Sequence, residues 1–147
     1  MSATADHAEE RTNPAAKLGF EPGQVVQEIG YDDDVEQGLR EAIEAVTGQE
    51  LVDEDYDDVA DVVLLWFRDE DGDLTDALVD AIGLIDEGGE IWLLTPKTGR
   101  DGYIEPSDIN EAAQTAGLSQ TRSISWGKDW TGSRLITPKA AKTSTKR

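Results

Sequence analysis

The chain has 147 residues, about one domain on the usual scale of ~100–200 residues each, so a two-domain enzyme with a separate cofactor module is not expected. Its 32 acidic and 13 basic residues give a net charge of −19, which argues against nucleic acid or an anionic membrane as the main partner. The absence of cysteine and the presence of one histidine, His7, remove thiol catalysis, disulfides, zinc ribbons, iron–sulfur clusters and any triad built on a core histidine.

Residues 1–17 are polar without apolar periodicity and lack the pattern of a secretory signal, so they read as a flexible N-terminal arm of a cytoplasmic protein. The ordered α/β domain is expected over 18–137, followed by a basic flexible tail, 138–147, carrying Lys139, Lys142, Lys146 and Arg147. Charge is lopsided along the chain. Residues 21–90 hold 24 acids against Arg40 and Arg68, whereas 91–147 hold five acids and nine bases.

Val25, Val26 and Ile29 mark a short strand, opened by Pro22 and Gly23 and closed by Gly30. Val35, Leu39, Ile43 and Val46 then fall on one face of a helix, with Asp33 as its expected N-cap and Gly48 as its end. A brief strand at 50–52 leads through the acids of 53–58 to the apolar run 59–67. A run this continuous predicts a strand buried on both faces. Asp73 is the expected cap of a helix with Leu74, Leu78, Ile82 and Ile85 inward, ended by Gly88 and Gly89. A second buried strand at 91–94 stops at Pro96, and Pro106 opens a third helix that Gly117 closes. Segments 121–126 and 134–137 read as a hairpin joined across 127–132. The order predicts a mostly parallel, Rossmann-like α/β sheet with a C-terminal antiparallel hairpin.

The stretch EPGQVVQEIGYDDD, starting at Glu21, resembles the first strand and turn of class I S-adenosylmethionine-dependent methyltransferases. The strand 59–67 resembles their central strand, and DEGGEIWLL, starting at Asp86, their next one. Over 18–137 the chain is also similar to a small actinobacterial family known only as a domain of unknown function, through runs such as VVLLWFRDEDGDL and IWLLTPKTGRDG. The first resemblance implies a cofactor turn at Gly30 and a ribose-binding acid at Asp53. The turn departs from the family's glycine-rich form, because only Gly30 is present, followed by Tyr31 and three aspartates. The interval from Glu50 to Val59 also has no room for the extra helix and strand that hold the adenine.

In open α/β sheets, ligands bind beyond the carboxyl ends of the strands. There the loop Thr95-Pro96-Lys97-Thr98-Gly99-Arg100 offers two cations and hydroxyls for a phosphate or carboxylate, unless Lys97 and Arg100 neutralise the acids 32–34. The loop Arg68-Asp69-Glu70-Asp71-Gly72-Asp73 departs from calcium-loop spacing, so no metal is expected. Trp66 and Trp92 read as core, while Trp130, beside Trp126 at the hairpin turn, reads as exposed recognition surface.

The residues thus support a non-catalytic binding or regulatory module that needs no cofactor. Its rim is expected to present Tyr31, Arg68, Lys97, Thr98, Arg100 and Trp130 to a protein partner or small anionic ligand. The alternative is a small enzyme with a reduced S-adenosylmethionine or nucleotide site, placing Gly30 and Asp53 at the cofactor and Asp69 near the reacting group.

Overall fold

The computed structural model describes residues 14–137, and the expectations for the remaining terminal residues, including the basic tail, lie outside the described residues. The order of elements is α1 (Pro14–Lys17), β1 (Val26–Ile29), α2 (Gln37–Thr47), β2 (Ala60–Trp66), a 3-10 turn (Asp69–Asp71), α3 (Leu74–Ile82), β3 (Ile85–Pro96), α4 (Pro106–Ala116), β4 (Ser119–Trp126) and β5 (Trp130–Ile136). The five strands form one sheet in the order β1-β2-β3-β5-β4. β1–β2 and β2–β3 are parallel, while β3–β5 and β5–β4 are antiparallel. The sheet is therefore evenly mixed, rather than mostly parallel with an antiparallel appendage.

Alternation along the strands builds two cores. Val62, Leu64, Trp66, Trp92 and Leu94 face α1 and α2, where they meet Ala15, Leu39, Ile43 and Val46. Val63, Leu65, Ile91 and Leu93 face α3 and α4, against Leu78, Ile109, Ala112 and Ala113. The apolar run of β2 is thus covered on both sides. Ala15 is buried within the first core, so residues 14–17 belong to the domain and not to a loose arm.

Three boundaries differ from expectation for local reasons. α2 starts at Gln37 with Glu36 before it, and neither Asp33 nor any other side chain caps it. The Asp34 carboxylate is held elsewhere by Arg68, and residues 32–35 form a turn instead, with the Val35 N–H on the Asp32 carbonyl. α3 ends at Ile82, because Ile85 already pairs with Ala60 as the first residue of β3. Gly88 and Gly89 lie inside β3, where its register with β2 shifts. A Cβ at Gly89 would lie 2.9 Å from the carbonyl oxygens of Asp61 and Asp86, so glycine permits the irregular stretch. The hairpin connection is also shorter than expected. β5 begins at Trp130, opposite Trp126, and Gly132 lies within the strand under the Trp92 ring. Elsewhere, Asp73 caps α3 by accepting from the Asp76 N–H, and Gly117 closes α4 in the left-handed conformation.

Candidate functional site

Beyond the carboxyl ends of β1 and β2, Arg68 occupies the centre of the rim and is only 7 % exposed. Its Nε and Nη2 donate to the two carboxylate oxygens of Asp34. Its Nη1 donates to the carbonyls of Gly30, at 2.8 Å, and Trp66, at 3.3 Å, and also reaches Asp71. The planar fork of arginine suits this arrangement, which uses every guanidinium nitrogen on protein acceptors. Burial alone would lower the Arg68 pKa, but the hydrogen bonds and charges of Asp34 and Asp71 raise it overall. The Arg68 hydrogen bonds hold the Asp34 carboxyl below its ordinary value against the opposing effect of burial.

The network extends through aromatic side chains. Trp130 Nε1 donates to the Asp34 carbonyl at 3.0 Å, and its ring lies under the Arg68 guanidinium, 5.4 Å from centroid to carbon. Trp66 meets Trp130 edge to face at 4.9 Å and donates from Nε1 to Glu28 at 2.9 Å. Glu28, buried in β1, takes a two-pronged pair of bonds from Arg40 of α2, at 2.7 and 3.0 Å. Those bonds raise the Arg40 pKa. Arg40 in turn lies over the Tyr31 ring at 4.6 Å, and the Tyr31 hydroxyl accepts from Gln37.

Gly30 is required here by the protein's own packing. Its φ is +83°, and a Cβ on it would lie 2.2 Å from the Trp66 carbonyl oxygen. Its N–H donates to Glu54 at 2.9 Å while its carbonyl accepts from Arg68, so both of its backbone polar groups are already engaged.

The rim residues expected from sequence separate into two groups. Arg68 and Trp130 lie inside, Trp130 at 2 % exposure, which corrects its expected place on an exposed recognition surface. Trp126 is half-buried and packs on the first core. Tyr31 is 50 % exposed, Thr98 and Arg100 are exposed, and Lys97 is half-buried. Lys97 Nζ donates to the Gly127 carbonyl, and Arg100 pairs with Asp129 at 3.2 Å. The two cations of this loop thus bind the hairpin turn, and Arg68 rather than either of them neutralises Asp34. Asp53 is exposed, and its carboxylate accepts from the Asp55 N–H. Asp69 begins the 3-10 turn and donates its N–H to the Gly102 carbonyl.

Two hollows flank the network. One, of about 410 Å³, is lined by Glu28, Tyr31, Arg40, Asp53, Glu54 and Asp55. The other, of about 490 Å³, lies among Asp34, Glu70, Arg100, Asp129 and Trp130. Among the described residues, no three histidine, cysteine or acidic side chains are grouped to hold a metal ion. Nor is any described helix long and apolar enough to cross a membrane.

Glu28, Arg40 and Glu54 are absent from the site expected from the sequence, which sets Asp34 against Lys97 and Arg100 and weighs Asp71 only as a metal ligand. A signal was available, since a glutamate inside an apolar strand needs a cation and Arg40 and Arg68 are the two bases in 21–90.

This mixed sheet with helices on both faces resembles the Rossmann-like fold of methyltransferases. The glycopeptide N-methyltransferase MtfA matches at TM-score 0.56 and 11 % identity, over 90 % of each chain. The O-methyltransferase NcsB1 from neocarzinostatin biosynthesis, in complex with S-adenosyl-L-homocysteine and 1,4-dihydroxy-2-naphthoic acid, matches at TM-score 0.63 and 14 % identity, over 92 % of this chain and 56 % of that one. The mitomycin 7-O-methyltransferase MmcR gives 0.58 and 13 %, over 89 % and 54 %. The chain spans about half the length of these two O-methyltransferases, and at such identities the likeness is one of fold. Residues 15–139 match the family described as "Protein of unknown function (DUF3052)", and the chain belongs to that family. It is 54 % identical over 136 residues to the Mycobacterium tuberculosis H37Rv protein Rv2239c and to the Mycobacterium bovis protein Mb2263c, covering 92 % of this chain and 84 % of each of those.

Proposed function

We propose that this chain is a non-catalytic binding or regulatory module of the cytoplasm, built on a methyltransferase-like fold whose cofactor turn is filled by its own side chains. The observation that carries the reading is the state of Gly30. Its N–H is held by Glu54 and its carbonyl by the buried guanidinium of Arg68, so both are already engaged within the protein. S-Adenosylmethionine fits this turn poorly. The ligand's carboxylate would meet Asp32, Asp33 and Asp34, and the nearby buried cation Arg68 is already committed to protein acceptors. Function then falls to the part of the rim outside this network, where the exposed Tyr31, Thr98 and Arg100 and the half-buried Lys97 would meet a protein partner or small anionic ligand.

The rival reading is an enzyme with a reduced S-adenosylmethionine or nucleotide site. The hollow beside Tyr31, with Asp53 on its wall, is the feature that favours it. Calorimetric titration with S-adenosylmethionine and S-adenosylhomocysteine decides between them. No binding is expected for the module, whereas micromolar binding abolished by Asp53→Ala overturns it. Arg100→Glu is expected to release a partner recovered stoichiometrically by the wild-type chain, and retention by this variant places docking elsewhere.

A further inference from the structure

On the other face of the sheet from Trp66 and Trp92, the side toward α4 changes its chemistry along the sheet. At the middle of the sheet this face carries Val63, Leu65, Ile91 and Leu93, all within the second core. Toward β5 and β4 the same face carries hydroxyls in register. Thr95 pairs with Thr131, which pairs with Ser125, and Ser133 pairs with Ser123. They form the floor of a groove of about 340 Å³, whose other wall is Tyr103, Ile104, Pro106 and Ile109 at the start of α4. Thr95 and Ser133, at its inner end, are 1 % and 2 % exposed, and Gln120 Nε2 donates to Ser133 at 3.3 Å. Thr131 is half-buried, while Ser123 and Ser125 are exposed, so the row of hydroxyls opens toward the edge strand.

We infer that this groove is a binding site for a small neutral polyhydroxylated ligand of the monosaccharide class. Its volume lies at the lower end of the ~300–1,000 Å³ typical of small-molecule sites. A pyranose has apolar C–H faces and a rim of hydroxyls, which suits a groove with an apolar, tyrosine-bearing wall opposite a row of hydroxyl donors and acceptors. Uncharged polar groups dominate the lining. Among the described lining residues none is an acid and one, Lys97, is a cation, whose ammonium also donates to the Gly127 carbonyl. The inference does not depend on the state of Gly30, since none of the lining residues belongs to the Arg68 network.

Saturation-transfer NMR and thermal shift on the full chain, with D-glucose, maltose and myo-inositol as neutral probes and glucose 6-phosphate and inorganic phosphate as anionic ones, test it. The neutral probes are expected to bind, with at least a tenfold loss of affinity in Thr131→Val and in Ser125→Ala. These two changes remove little more than a hydroxyl, and circular dichroism checks that each variant is folded. Lack of binding by every neutral probe, binding by phosphate alone, or neutral binding that both variants leave unchanged would overturn the assignment.

Discussion

At the ends of β1 and β2, the three guanidinium nitrogens of Arg68 donate to Asp34, Asp71 and two main-chain carbonyls. Across the same sheet, on β5 and β4, the hydroxyls of Ser123, Ser125 and Thr131 line a groove with no acid among its described lining residues. The first region turns its polar groups inward and locks the rim where a methyltransferase-like fold would take its ligand. The second presents mostly uncharged polar groups and leaves space in front of them. Under the proposed reading, internal bonds occupy the strand-end rim of this fold while another face of the sheet carries the features of a site.

The largest effect is expected from a matched pair of glycine substitutions, one in each half. Gly30→Ala forces a left-handed φ on alanine and drives Cβ into the Trp66 carbonyl, at a cost of about 3 kcal/mol or more in urea unfolding. Gly132→Ala needs no positive φ, and its Cβ would lie 3.3 Å from Ile124 and 3.5 Å from the Trp92 ring. Small shifts relieve such contacts, so about 1 kcal/mol or less is expected there. Equal losses would mean that the Gly30 turn is no more constrained than the hairpin, and the contrast between the halves would fail.

Arg68→Leu comes next. It strips donors from the Gly30 and Trp66 carbonyls and leaves Asp34 without its cation, with an expected loss of about 2 kcal/mol. The loss stays below that of a fully buried ion pair because the Asp34 side chain is 54 % exposed to water. Denaturant midpoints of the variant and wild type measure it, and a change within a few tenths of a kcal/mol would show that the network is not what holds this rim together.

How far these features were legible depends on whether their cause was local. The double burial of β2 follows from its composition, and the Asp73 cap and the Gly117 stop follow from neighbours a few residues away. The roles of Gly88, Gly89 and Gly132 were hidden because a glycine in a strand and a glycine in a turn look alike until the partner strand is known. The same holds for Asp33, which has the chemistry of a cap but lies too early for α2. At the site, the isolated Arg40 and Arg68 in an acidic stretch were visible. That Arg68 binds Asp34, 34 positions earlier, depends on strand order, and so does the burial of Trp130 beside it.

The Arg68–Asp34 pair also carries a pH signature. Because folding lowers the Asp34 pKa, its contribution is fully present above the unfolded aspartate value, about 4. It is lost as pH falls through the lowered folded value. Wild type is therefore expected to lose stability below about pH 4 more steeply than Arg68→Leu, in which Asp34 has lost the cation that lowers its pKa. Parallel acid-unfolding curves for the two proteins would remove Asp34 from this role.

The smallest effect expected is that of salt. In 21–90, 24 acids face two bases, and the run 53–58 alone places five acids within six residues. The ion pairs formed with this segment engage Glu28, Asp34, Asp71 and Glu90, the last through Arg134. Repulsion among exposed acids is screened once the Debye length falls to about 10 Å at 0.1 M salt, while the partly buried pairs are screened much less. The balance favours stabilisation, and Tm is expected to rise by roughly 2–5 °C between low and moderate ionic strength. Charge-reversing two acids of 53–58, Asp57→Lys and Asp58→Lys, should reduce that rise. A response that is flat in wild type would mean that attraction to the chain's bases already offsets the repulsion, and the electrical asymmetry between the two halves would then carry no cost in stability.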